Sequence, residues 1–410
     1  MSSDTIFGLK PATVYALAGL SVVAMLAAIA FELMGLQSLP GLSGSEHVDF
    51  DMFHVVAQLA LEGRVTEAYD LDAMLAAQHE MGGVPEHMTW TYPPPFDLLI
   101  APFGALDRNL AFLLFTGASL ALYLWTMLRL AGPMTGLALL GALPAAMMAL
   151  RNGQNGCLTA GLIGLTCLAL LRGRSGRAGI PLGLLVIKPH VALGLGLWAL
   201  AAVRVRALLV ALGTALMACL AATVALGTEV WVAFFDAIGV AGSQLEGGAY
   251  LNFRMASVFA TLTSFGVEAS VAMTAQLGTT LCTLAALVWV ARRWPLRPAL
   301  AIALLATPLL VPYLYDYDLA LYGIAMALLL PELELRGRQA AALPLLVLGW
   351  IAGGTGLVQN ARGAAEGLVA PVTGAGIAAS ALLLLALAVL RPREARPSDT
   401  AQQDVAQARA

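Results

Sequence analysis

Apolar runs about as long as a bilayer is thick recur from one end of this 410-residue chain to the other. A helix needs ~20 such residues to cross the hydrocarbon core. Crossings are expected near 11–34, 95–131, 134–150, 157–171, 180–188, 190–203, 207–227, 268–291, 298–313, 318–331, 341–358 and 368–390. That makes about twelve membrane helices, within a range of about ten to fourteen, because several runs are short for a perpendicular span. Charge is correspondingly scarce: 11% of residues carry one, against ~25% in a soluble domain. This excludes a soluble enzyme, a disordered chain and a nucleic-acid binder, and a net charge of −3 implies no charged partner. The fold class expected is an all-α integral membrane protein.

Local chemistry refines the runs. The first is about 24 residues long, has only Lys10 before it and is followed by many more, so a retained helix is expected rather than a signal peptide. The run 95–131 is too long for one straight helix, and Pro102 with Asp107-Arg108 is where it should kink or split. The pieces 180–188 and 190–203 suit a broken, re-entrant hairpin around Lys188-Pro189, a form tolerated only inside protein or beside a wet cavity. Cys157, Cys167, Cys219 and Cys282 lie in apolar runs without a C-x-x-C pair. They read as small buried hydrophobes, not as a disulfide framework or zinc site.

The placement of Arg orients the chain. With a cytoplasmic N-terminus, the inner side collects Lys10, Arg129, Arg172, Arg174, Arg177, Arg204, Arg206, Arg292, Arg293, Arg297, Arg336, Arg338, Arg391, Arg393 and Arg396. The outer side keeps Arg64, Arg151, Lys188, Arg254 and Arg362. Two full crossings within 95–131 would put the Arg172–Arg177 loop outside, so one crossing is expected there. Residues 1–390 then form one transmembrane domain, with a long first outer loop at 35–93 and a second outer loop at 228–256. In the first loop, Phe53, Val56, Leu59 and Ala60 suit an amphipathic helix lying on the membrane surface. Asp70 can cap a second short helix running to about Met81. The tail 391–410 reads as disordered and cytoplasmic.

Ionisable groups at membrane depth are costly, so those that persist are functional candidates. Here they gather in separate outer turns: Asp49 and Asp51, Tyr92, Gln154 and Asn155, Lys188 and His190, Asn252 and Arg254, and Asp318. A carboxylate can take the proton of an attacking hydroxyl. Lys and Arg can hold a departing phosphate, and amides and phenols can bond sugar hydroxyls. Nucleotide sugars are cytoplasmic, so a donor at the outer face would be lipid-linked. No phosphate-loop or dinucleotide fingerprint is present. Asp49-Phe50-Asp51 and Asp316-Tyr317-Asp318 also read as D-x-D metal motifs, though such triplets arise easily by chance. On a helix, Asp49 and Asp51 point to different faces, so one base is expected rather than a carboxylate pair.

These residues, in this order, carry a resemblance. Asp49-Phe50-Asp51-Met52-Phe53, Glu67-Ala68-Tyr69-Asp70, Thr91-Tyr92-Pro93-Pro94, Gly153-Gln154-Asn155, Lys188-Pro189, Pro312-Tyr313 and Tyr317-Asp318 follow one another along nearly the whole chain. The pattern resembles glycosyltransferase family 87, the bacterial polyprenyl-phosphate-mannose-dependent α-1,2-mannosyltransferases. The resemblance implies a GT-C fold with juxtamembrane helices in the first outer loop and a site facing the periplasm from the inner membrane. It implies inverting transfer from a polyprenyl-phosphate sugar to a glycolipid or glycan acceptor, with Asp49 as catalytic base.

Lys188 and Arg254 are then the candidates for the donor phosphate. Asp51, Tyr92, Gln154, Asn155, His190, Asn252 and Asp318 are candidates for sugar or acceptor. No cofactor and no obligatory metal are expected, and the oligomeric state is left open. His54 departs from the family pattern, where Trp or Tyr is expected, on the acceptor side. Two alternatives stay open: another GT-C transferase, of arabinofuranosyl or aminoarabinose type, and a transporter or flippase. The transporter reading is disfavoured because no repeat is visible and the polar groups lie at one surface.

Overall fold

The computed structural model describes residues 5–35, 48–81, 90–246, 252–366 and 372–392. Among them there is no β-strand, and short turns and 3-10 segments join the helices. The first helices are α1 (Pro11–Leu33), α2 (Asp49–Leu61), α3 (Leu71–Met81), α4 (Pro94–Ile100), α5 (Arg108–Ala131) and α6 (Thr135–Arg151). Next come α7 (Gly156–Leu171), α8 (Ser175–Leu184), α9 (Leu193–Ala201), α10 (Val205–Leu226), α11 (Glu229–Glu246) and α12 (Val258–Ser264). The chain closes with α13 (Ala269–Arg293), α14 (Leu296–Ala306), α15 (Leu321–Leu335), α16 (Ala342–Glu366) and α17 (Ala375–Leu390).

Among the described residues, five helical segments are long and apolar enough to cross a membrane: Pro11–Leu33, Arg108–Arg151, Val205–Leu226, Ala269–Arg293 and Gln339–Val358. The protein is thus an all-α membrane protein. Twelve full-length crossings are not found among the described residues. Several of the expected runs are apolar helices of 10–17 residues, such as Gly156–Leu171 and Ala375–Leu390. They are short because polar turns and Pro interrupt the apolar sequence before ~20 residues accumulate.

Surface chemistry separates the periphery from the centre. Helix α10 leaves Leu209, Leu212, Leu216, Met217, Leu220 and Val224 exposed along its length, a surface suited to lipid and not to water. Helix α15 is apolar all round and buries every residue from Leu321 to Leu330, as a central helix must. It packs against α14, α5, α6 and α7.

Two expected breaks are present. The run 95–131 is divided by a 3-10 turn, Ala101–Ala105, that contains Pro102. Helix α5 then starts afresh, with Asp107 Oδ1 accepting from the amides of Asn109 at 2.9 Å and Leu110 at 3.3 Å. The second break lies at Lys188, between the 3-10 turns Leu185–Ile187 and Pro189–Ala192. Its two arms diverge. Gly179 and Gly183 of α8 seat against Ala207 and Ala211 of α10, while Gly194 of α9 seats against Ala303 of α14. Small residues allow this close backbone approach. Arg206, at the start of α10, lies beside Gly176 at the start of α8. The chain therefore returns to where it began, and Lys188 is the apex of a splayed V.

Other expectations need correction. Helix α2 lays its apolar side on protein. Phe50, Met52, Phe53, Val55, Val56 and Ala57 are all buried, and the helix packs into α4, α5 and the 101–105 turn. The sequence pattern used four apolar positions, but the helix is apolar over more of its circumference than those four. Within 228–256, α11 is an 18-residue helix rather than open connection, and its Phe234 ring meets Tyr69 at 6.1 Å. Cys157 and Cys167 are buried, whereas Cys282 is exposed and Cys219 half-buried. Residues 393–410 of the expected tail, and 36–47 and 82–89 of the first long connection, lie outside the described residues.

Candidate active site

Helix ends build this site. Helix α6 stops at Arg151, and Gly153 takes φ +64°, the left-handed turn that favours glycine. A Cβ there would meet Phe50 Cβ at 2.5 Å, so the turn also admits α2. The carbonyl of Asn152 accepts from the Phe50 amide at 3.0 Å, bringing the start of α2 over the 152–155 turn. Asn155 then precedes α7 as its N-cap residue, but its side chain does not cap the helix. Its Oδ1 instead accepts from Lys188 Nζ at 3.1 Å. A cap given up for a cross-chain contact is the kind of local rule that functional sites break.

Lys188 is 4% exposed, and Asp318 1%. The ammonium donates to Asp318 Oδ1 at 2.6 Å and lies 4.8 Å from the centre of the Tyr317 ring and 5.5 Å from that of Tyr92. The opposite oxygen, Asp318 Oδ2, is 3.8 Å from His190 Nε2. Arg254 pairs in parallel with Asp316, Nη2 to Oδ1 at 3.4 Å and Nε to Oδ2 at 3.5 Å. It lies over the rings of Tyr315 and Tyr317 at 5.4 and 5.5 Å. The Tyr317 ring thus contacts two cations, each held by a neighbouring carboxylate. Buried charges persist only when paired in this way.

The segment that supplies both carboxylates is itself anchored. Ala256 N donates to Leu314 O at 2.9 Å, and Ser257 Oγ to Pro312 O at 2.6 Å. Gly356 of α16 makes room for Asp316: a Cβ there would lie 1.7 Å from its Oδ2.

Asp49 is the first residue of α2 and is only half-buried. Its carboxylate is hydrogen-bonded to the Gln154 side chain and acted on by the charges of Arg254, Lys188 and Asp318. Tyr92 fixes the amide orientation, its hydroxyl donating to Gln154 Oε1 at 2.9 Å, which leaves the NH₂ group for Asp49. Burial pushes the Tyr92 phenol up to about 12, so it remains a donor at neutral pH. Burial also raises the Asp49 carboxyl above the ordinary carboxylate range, against the opposing pull of Arg254, Gln154 and Lys188.

Tyr92, Gln154, Asn155, Lys188, His190, Arg254 and Asp318 are therefore brought into one cluster with Asp49 by six separate chain segments. Asp51 is not among them. Its Oδ2 accepts from the Val48 amide at 2.8 Å, and its Oδ1 from Arg108 Nε at 2.7 Å. Both oxygens are engaged within the fold, away from the cluster where the sequence grouped Asp51 with sugar or acceptor candidates. Asn252 also stands aside, its Nδ2 donating to Thr263 Oγ1 of α12 at 3.1 Å. His54 turns toward Leu106 O at 3.0 Å. The sequence drew attention to Asp316 only through its D-x-D spacing and did not select Tyr317. The signal was the polar Tyr315–Asp318 run in an outer turn, where every residue now proves buried. Among the described residues, no group of three or more His, Cys, Asp or Glu could hold a metal ion.

Asn155 Nδ2, His190 Nε2 and Asp318 Oδ2 have no hydrogen-bond partner in this cluster. A partly accessible carboxylate next to buried cations, aromatic faces and unpartnered polar atoms suits group transfer between a phosphate-bearing molecule and a hydroxyl. Neither a curated protein nor a solved structure matches the chain. The family model of glycosyltransferase family 87 matches residues 90–312, more than half its length. That stretch contains Tyr92, Gln154, Asn155, Lys188, His190 and Arg254, while Asp49 and Asp318 lie outside it and reach the cluster through folding. The chain belongs to glycosyltransferase family 87 and is a membrane glycosyltransferase.

Proposed function

We propose that this enzyme moves a sugar, mannose, from a polyprenyl-phosphate donor to a hydroxyl of a glycolipid or glycan, with inversion at the anomeric carbon. Asp49 takes the proton of the acceptor hydroxyl as its oxygen attacks that carbon. The bond from the anomeric carbon to the phosphate oxygen breaks, and the electron pair leaves with the lipid phosphate. Lys188 and Arg254 offset the charge that grows on the leaving group, which needs no resident metal. Tyr92 and Gln154 hold Asp49, and Asn155 and His190 face the sugar.

The observation that carries this reading is the half-buried Asp49 beside buried Lys188 and half-buried Arg254, which share the Tyr317 ring. The family resemblance supports mannose and the lipid-linked donor. The distribution of Arg supports a bacterial inner-membrane protein with cytoplasmic termini and a GT-C bundle of about twelve membrane helices. In this arrangement the site faces the periplasm.

Purified protein given radiolabelled polyprenyl-phosphate mannose and a panel of glycolipid acceptors tests the proposal. Label should pass to an acceptor in the wild type and fail to do so in Asp49→Asn. Full transfer by Asp49→Asn would remove the base assignment. Solute flux across liposomes with no donor consumed would replace transfer with transport.

A further inference from the structure

A second charged cluster lies behind α2, on the side away from the site. Arg108, the first residue of α5, donates through Nε to Asp51 Oδ1 and through Nη2 to Glu32 Oε1, both at 2.7 Å. Glu32 lies at the end of α1 and its side chain is fully buried, while that of Asp51 is 14% exposed and that of Arg108 26%. The guanidinium also lies over the rings of Phe50 and Phe112, 5.8 and 5.3 Å from their centres. One side chain therefore joins three helices, holding Asp51 and covering the ring of Phe50 beside it.

We propose that Arg108 is a positioning residue for Asp49. Two residues along a helix turn through ~200°, so Asp51 and Asp49 project to nearly opposite sides of the first turn of α2. Holding Asp51 from behind fixes the rotation of that turn about the helix axis. Phe50, between them, is pinned by its amide on Asn152 O and by its ring against Phe112, 5.3 Å between centres and nearly perpendicular. The rotation that Arg108 enforces is the one that presents Asp49 to Gln154. Shielding from solvent keeps these charge-assisted bonds short and weakly screened. A base displaced by about 1 Å costs ~10²-fold in rate, so the effect falls on turnover. Donor binding rests on Lys188 and Arg254, which Arg108 does not touch.

The proposal rests on the reading of Asp49 as base, and the test separates the two. Transfer kinetics are measured for Asp49→Asn, Arg108→Gln, Arg108→Lys, Asp51→Asn and the Asp51→Asn/Arg108→Gln double variant, per folded molecule. Arg108→Gln should lower kcat by ~10- to 100-fold with the donor KM within about twofold. Arg108→Lys should regain part of the rate. The double variant should be no slower than the slower single one, as for residues acting in one unit. If Arg108→Gln fails to fold, Asp51→Asn carries the same expectation, since its amide oxygen can still cap the Val48 amide. A silent Asp49→Asn overturns both readings. An inactive Asp49→Asn with full turnover in Arg108→Gln and Asp51→Asn overturns the positioning role alone, as does a parallel rise in donor KM.

Discussion

The two ends of the helical bundle use the same cationic side chains in opposite ways. At one end Arg297 donates to the carbonyls of Leu328 and Ala327, each at 3.1 Å, and to that of Leu130. Arg336 and Arg338 likewise reach carbonyls at the end of α17, from Ala388 to Leu390. The carbonyls of Leu130 and of Ala388 to Leu390 lie at helix C-termini, where unpaired groups need donors, and that of Ala327 loses its helical donor to Pro331 inside α15. At the other end Lys188 and Arg254 meet carboxylates and aromatic faces. The first use satisfies backbone groups that folding leaves unpaired. The second concentrates paired charges around Asp49, the proposed base, where redistribution by a substrate becomes possible. Charge scarcity alone would not tell these ends apart; the partners do.

The sharpest way to break the contrast is Asp49→Asn. It should lower transfer by ~10²- to 10⁴-fold, read as label passed to acceptor. Stability moves the other way. A carboxyl whose pKa is raised on folding favours the fold below its unfolded value and loses that benefit as pH rises through the folded one. Asp49→Asn should therefore match or exceed the wild-type Tm at neutral pH, with the difference shrinking in acid. The wild-type rate should fall on acidification above the usual carboxylate range, because the base must be deprotonated.

Next in size is Lys188→Met. It strands Asp318, and breaking such a buried pair costs about 3–5 kcal/mol, measurable by thermal unfolding in detergent. Adding Asp318→Asn should recover much of that stability and none of the transfer, separating the ion pair as structure from Lys188 as phosphate ligand. A smaller effect is expected from Gly356→Ala. Its Cβ would lie 1.7 Å from Asp316 Oδ2, so Asp316 and with it Arg254 must shift. A several-fold lower kcat with a several-fold higher donor KM is the expected outcome, and unchanged kinetics would detach Arg254 from the donor. The smallest effect on transfer belongs to the other end. Arg297→Gln should cost ~1–3 kcal/mol in stability and leave turnover per folded molecule as it was. A loss of turnover there would erase the distinction between the ends.

Much of the helical plan is legible in the residues, because apolar length, Pro and capping side chains act locally. The split near Pro102 and Asp107 and the break at Lys188 fall where the chain chemistry puts them. The burial of α2 was not legible. Its amphipathic pattern is satisfied equally by lipid and by Phe112, Phe115 and Phe96, and only packing chooses between them. The same holds for the candidate site. Asp51 and Asp49 are equivalent as letters two positions apart, yet one is taken up by Arg108 and the Val48 amide. Asp316 and Tyr317 were visible only through a D-x-D triplet and the Tyr317-Asp318 pair of the resemblance. Their value comes from Lys188 and Arg254, more than 60 residues away in sequence, and no local pattern encodes that pairing.

The sequence by itself determined that lipid is the solvent and that the rare charges need reasons to be where they are. It could do so because hydropathy and the cost of burying charge add up residue by residue. Tertiary structure alone decided which carboxylate faces the buried cations and which one holds a helix in place. Side-chain direction on a helix turns by ~100° per residue, and only the packing of α2 against α5 and the 152–155 turn fixes where that rotation stops.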